Sequence, residues 1–81
     1  MARVSGKEDP QNVLQQLGSA IRTLRADVGL SQEALADAAG IDRSHMGKIE
    51  RGERNVTLLN LHRIALALRT KVSALLSAAG L

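Results

Sequence analysis

Apolar side chains recur along this chain at intervals of three and four residues, and polar punctuation cuts the pattern into five pieces. Leu14, Leu17, Ile21, Leu24 and Val28 form the first series, the spacing that lines up one face of an α-helix. Asp9 before Pro10 predicts its start, as an N-cap followed by proline at the first helical position, and Gly29 predicts its end. A second helix is expected in "SQEALADAAG", capped by Ser31, with Glu33 in the first turn where the helix dipole favours an acid. Leu35, Ala38 and Ala39 face inward there, and Gly40 suits a left-handed C-terminal position. Asp42 caps a third helix with Met46 and Ile49 inward, ending at Gly52. Thr57 caps "LLNLHRIALALR", where Leu58, Leu61, Ala65 and Leu68 make a stripe widened by Ile64. A last helix runs roughly from Val72 to Ala79, before Gly80. No strand pattern and no internal repeat appears. The expected architecture is all-α, a compact bundle of five short helices.

Composition narrows this further. At 81 residues the chain is one domain, near the size where a lone core supplies only about 3–5 kcal/mol. There is no Phe, Tyr or Trp, so the core must be built from Leu, Ile, Val, Ala and Met, a palette that favours helices. The absence of aromatic rings also argues against binding single-stranded nucleic acid by base stacking. There are no cysteines, which excludes disulfides and thiolate metal sites, and the two histidines lack ligand company at suitable spacing. No cofactor and no small-molecule ligand is implied. Residues 1–10 carry charges and no apolar run, unlike a signal peptide, and are expected to be a flexible arm ahead of a domain over residues 11–81. No window approaches the roughly 20 apolar residues of a membrane span, so a cytoplasmic protein with no membrane partner is expected. The net charge of +3 leans towards a polyanionic partner without identifying one.

The informative stretch is "GIDRSHMGKIERGERN", Gly40 to Asn55. After Ile41 it offers only Met46 and Ile49 as long aliphatic side chains amid four basic residues and a histidine. A helix meant only to fill a core would be less polar. The tight link "AAGID" forces the second and third helices to cross steeply, a helix-turn-helix arrangement. Ala36 is small where the two backbones approach, and Leu35, Ala39, Ile41, Met46 and Ile49 are apolar where the bundle needs them.

Over residues 14–77 the chain resembles the lambda-repressor-like (Cro-type, or Xre) helix-turn-helix family, with "LSQEALA", "IERG" and "RN" carrying the likeness. Within that family, "IDRSHMGKIERGERNVTLLNL" resembles the small controller proteins of restriction–modification systems. The resemblance implies a DNA-binding transcription regulator whose third helix enters the major groove. Arg43, Ser44 and Lys48 match the family's base-reading positions, and the two cations suit guanine O6 and N7. Gln32 resembles the family's phosphate-binding glutamine. Arg51, Arg54 and Asn55 follow the reading helix, where the chain passes the sugar-phosphate backbone, and His45 can add a phosphate contact. Arg25 and Glu50 occupy the positions of a family ion pair that ties the first helix to the end of the reading helix. Val72, Leu75, Leu76 and Leu81 are the expected homodimer interface, since two-fold dimers suit palindromic operators. Arg69 departs from the family, which often has Gly, Asn or Asp there. A left-handed arginine is strained, so the junction of the last two helices is expected to bend differently.

Two blander readings compete. The basic residues of the third helix could be only a solvated face interleaved with Asp42, Glu50 and Glu53. The fold could also serve as a protein-interaction module, such as an antitoxin that occludes a partner. Catalysis is not indicated: Asp42, Ser44 and His45 crowd one helix, where adjacent side chains diverge by about 100° and cannot form a triad.

Overall fold

In the computed structural model, which describes residues 9–81, five helices follow one another: α1 (Val13–Asp27), α2 (Gln32–Ala39), α3 (Arg43–Glu50), α4 (Leu58–Ala67) and α5 (Val72–Ala78). Among the described residues there is no strand. The arm expected at residues 1–10 lies, but for its last two residues, outside the described region. Three helices start as their sequences require. Ser31, Asp42 and Thr57 each accept a hydrogen bond from the backbone N–H three residues on, at 3.0, 3.3 and 3.2 Å. Each bond satisfies a donor that the first helical turn leaves without a partner.

The start of α1 corrects the expectation. Pro10 is not its first residue; Pro10 and Gln11 form a turn closed by the Asn12 N–H on the Asp9 carbonyl at 3.0 Å, and the helix begins at Val13. Asp9 still caps it, from across that turn. Its two carboxylate oxygens accept from the N–H groups of Val13 (2.9 Å) and Leu14 (2.7 Å).

At the far end of α2, Gly40 takes a left-handed backbone (φ 68°) that brings the Ile41 N–H to the Ala36 carbonyl at 2.9 Å. The α4–α5 junction closes in the same way, with arginine in the glycine position. Arg69 is left-handed at φ 59°, and the Thr70 N–H bonds the Ala65 carbonyl at 2.9 Å. The junction therefore does not bend differently. It keeps the ordinary closing bonds and carries the strain, about 1–2 kcal/mol for an L-residue in this region.

Each helix contributes one fully buried side chain to the centre: Ile21, Leu35, Met46, Ile64 and Leu75. Around them α1 packs on α3 and α5, and α2 packs on α3 and α4. Three expected core residues are exposed instead. Val28 lies beyond the last turn of α1, so the helical stripe does not reach it. Ala38 is displaced from the inner face of α2 by Leu35, Ala36 and Ala39. Leu58 is 73% exposed, because the first turn of α4 has no neighbour to cover it.

Candidate nucleic-acid interface

The back of α3 rests directly on the backbone of α1. A Cβ built on Gly18, in the middle of α1, would lie 2.5 Å from the Ile49 carbonyl oxygen and closer still to that of Glu50. Gly52, just past α3, is equally hard against α1, since a Cβ there would lie 2.8 Å from the backbone of Gln15. Met46, Gly47, Ile49 and Glu50 are buried, so the opposite side of α3 is set outward.

A polar joint fixes the end of that helix. The Glu50 side chain has no accessible surface, and it is the one buried charged residue among those described. Its carboxylate accepts from Arg25 Nε (2.8 Å), Arg25 Nη2 (3.0 Å) and Gln32 Nε2 (3.1 Å). Arg22 Nε stands 3.7 Å away. Arg25 also donates from Nη1 to the Leu30 carbonyl at 3.1 Å. One guanidinium thus ties α1, the α1–α2 link and the end of α3 together. The bidentate pairing suits the planar fork of arginine and would not survive replacement by lysine.

Arg43 and Ser44 are exposed at the start of α3, and Lys48 is half-buried one turn later on the same outward side. Arg51, Arg54 and Asn55 are exposed in the segment that follows, and His45 is half-buried in the first turn of α3. Gln32 is not free on the surface. Its amide nitrogen is held by Glu50, which leaves one N–H hydrogen for another acceptor. Sequence reasoning missed two exposed ion pairs. Arg43 Nη1 lies 3.5 Å from Glu33, and Arg51 Nε donates to Glu53 at 2.7 Å. The Arg51 hydrogen bond holds the Glu53 carboxyl below its ordinary value and raises the guanidinium's own. Both pairs join an acid to a cation expected at DNA, and simple spacing would have flagged only the second.

Gly47 resolves differently from Gly18. A Cβ there would approach Arg51 Nη1 at 3.1 Å and Gln32 Oε1 at 3.3 Å, both ends of flexible side chains. Gly47→Ala is therefore expected to leave the urea midpoint unchanged or raise stability by up to about 1 kcal/mol, the helix-propensity gain. A loss of more than that would show that Gln32 and Arg51 cannot yield.

The expected dimer surface needs correction. Leu75 is 0% exposed within the protomer and is not free for a partner, and Leu76 is half-buried against the core. Val72 is half-buried and Leu81 exposed. A further apolar surface lies where α4 and α5 begin, with Leu58, Leu59, His62 and Val72 lining a shallow depression. His62 is exposed there. Two consecutive leucines opening a helix were the available signal, since adjacent residues cannot both face a core.

A model of the helix-turn-helix family matches residues 21–75, the span from α1 through α5. The chain belongs to the Xre-type helix-turn-helix family. It is 46% identical over 65 residues to control protein C.SmaI of Serratia marcescens, covering 80% of this chain and 77% of that one. Control protein C.MunI of a Mycoplasma species is 38% identical over 76% of this chain and 85% of its own. Among solved structures, the restriction-modification controller protein C.AhdI of Aeromonas hydrophila superposes with a TM-score of 0.75 at 47% identity, over 76% of this chain and 94% of that one. With this fold and these relatives, the protein is a DNA-binding regulator of transcription. The all-α helix-turn-helix expectation and the class of function are those the sequence implied. Among the described residues, no helix is long and apolar enough to cross a membrane.

Proposed function

We propose that this Xre-type protein is a homodimer that binds a palindromic operator in the cytoplasm, on the nucleoid, and controls a restriction–modification system. The observation that carries the reading is the two-sided character of α3. Its back is pinned by Met46, Ile49 and Glu50, while Arg43, Ser44 and Lys48 lie on its outward side, Arg43 beside Glu33. In the major groove, Arg43 and Lys48 would donate to guanine and Ser44 to either base. Gln32, His45, Arg51, Arg54 and Asn55 would meet phosphates and set register and affinity. The restriction–modification setting rests on the likeness to control proteins C.SmaI, C.MunI and C.AhdI, each matched over three quarters or more of its length.

The dimer reading keeps Val72 at the start of α5 and adds the exposed Leu58 and Leu59 of α4, which a second copy would cover. Two copies so joined would present their reading helices roughly 34–36 Å apart, one turn of DNA. The rival, an interaction module such as an antitoxin, would cover the same leucines with a different protein.

The test is binding to duplexes from the protein's own upstream region, against random duplex. Arg43→Ala is expected to cost about 1–3 kcal/mol and relax preference at one base position, whereas Arg51→Ala weakens all sequences alike. Leu58→Lys is expected to yield monomers that no longer favour the palindrome over its half-site. A wild-type protein that ranks no fragment above random duplex overturns the regulator reading. A Leu58→Lys variant that sediments as a dimer overturns the placement of the interface.

A further inference from the structure

We infer that Glu33 is a specificity-determining residue, acting through Arg43 to penalise every complex in which that arginine is not on its proper base. The inference rests on the DNA-binding reading of α3. Its ground is the juxtaposition of the Glu33 carboxylate and the Arg43 guanidinium, 3.5 Å apart with side chains 62% and 69% exposed.

An exposed pair of this kind contributes little to the fold, because water screens it and two long side chains must be held still. Ser31 already supplies the cap of α2, through the Ala34 N–H. Stability therefore gives an acid on this surface only the small helix-dipole gain of a first-turn position, and that gain does not need Arg43. DNA gives a reason against one, since the surface must approach a dense line of phosphates. The cost depends on what Arg43 does. A guanidinium has five N–H groups, and a guanine occupies two of them through O6 and N7. The remaining donors let Arg43 keep Glu33 paired while it reads the base. When no guanine holds it on the base edge, Arg43 can swing away from Glu33 towards a phosphate, and the Glu33 charge is then unpaired beside the DNA backbone. Like charges so placed are the ordinary means of rejecting wrong partners. The carboxylate thus weakens binding everywhere except in the register where Arg43 bridges acid and base.

Arg51 and Glu53 form the matched control within the same molecule. Their pair is shorter, at 2.7 Å, and also at the surface with side chains about half exposed, but Arg51 lies past the end of α3, in the segment assigned to the phosphates. Releasing Arg51 from Glu53 frees a phosphate contact on any sequence, so Glu53 carries no base information.

The experiment measures dissociation constants for operator and random duplex at one fixed salt concentration. The proteins are the wild type, Glu33→Gln, Glu53→Gln, Arg43→Ala and the Glu33→Gln/Arg43→Ala double variant, each with its thermal midpoint. Glu33→Gln is expected to bind random duplex about tenfold more tightly with little change at the operator, so the operator-to-random ratio falls about tenfold. Glu53→Gln is expected to tighten both duplexes alike and leave the ratio where it was. In the Arg43→Ala background, adding Glu33→Gln is expected to shift both duplexes together. A purely structural role would move the thermal midpoint and not the ratio. The inference is overturned if Glu33→Gln keeps the wild-type ratio, or if the ratio falls as far without Arg43 as with it. A wild-type ratio near one overturns the DNA-binding reading itself, and the inference with it.

Discussion

Gly18→Ala is expected to leave most of the protein unfolded at room temperature. Alanine in the interior of an exposed helix normally stabilises it, by about 1 kcal/mol over glycine. The sign reverses here because the added methyl falls on the backbone carbonyls of Ile49 and Glu50, which no rotamer can move aside. Overpacking commonly costs about 1–3 kcal/mol, and collision with the main chain belongs at or beyond the upper end. A domain of this size has only about 3–5 kcal/mol to lose. The urea midpoint of Gly18→Ala should therefore collapse while that of Gly47→Ala holds. A Gly18→Ala protein as stable as the wild type would mean that α1 and α3 are not in backbone contact. The backbone support for the reading helix would then be gone.

Arg25→Ala is expected to be nearly as damaging, for an electrostatic reason. The substitution strands the Glu50 carboxylate, which has no accessible surface, with the Gln32 amide as its one remaining close donor and Arg22 at 3.7 Å. Removing one partner of a buried pair costs about 3–5 kcal/mol, because the other charge stays desolvated and unpaired. The pair itself need not be stabilising overall. Replacing both members by apolar residues, as Arg25→Met with Glu50→Met, should recover most of the lost stability. The recovered protein should still bind its operator more weakly than the wild type. Neither the end of α3 nor the Gln32 amide would then be held in place. Chemical denaturation and operator titration on the three proteins separate the two effects. A double variant as unstable as Arg25→Ala would show that the pair supplies stability rather than orientation.

The order of helices was legible because the chain marks it with chemistry that acts locally. Ser31, Asp42 and Thr57 needed nothing beyond their own first turns to be read as caps. Asp9 was read correctly as a cap and wrongly as the immediate neighbour of its helix, because a turn closing over Pro10 cannot be told from a proline-led first turn by residue type. Leu58 and Leu75 failed for a different reason. Both sit on apolar stripes, and only the packing of the other helices decides that Leu75 is enclosed and Leu58 is left at the surface. Gly18 was silent in the sequence, although a glycine in mid-helix at a cost of about 1 kcal/mol should have prompted the question of what lies against it. The candidate interface was more visible than the contacts that tune it. The exposed face of α3 follows from Met46 and Ile49 pointing the other way. The bonds from Gln32 to Glu50 and from Glu33 to Arg43 join residues on separate helices, where spacing along the chain carries no signal.

The most direct test is to follow backbone amide resonances while duplex from the upstream region is added to the full chain. The expected result is that the largest changes fall on Gln32, on Arg43 to Lys48 along α3, and on Arg51 to Asn55. Leu58, Leu59 and Val72, on the apolar patch, should be unaffected. If those three shift most and α3 stays unchanged, DNA does not meet the outward side of α3.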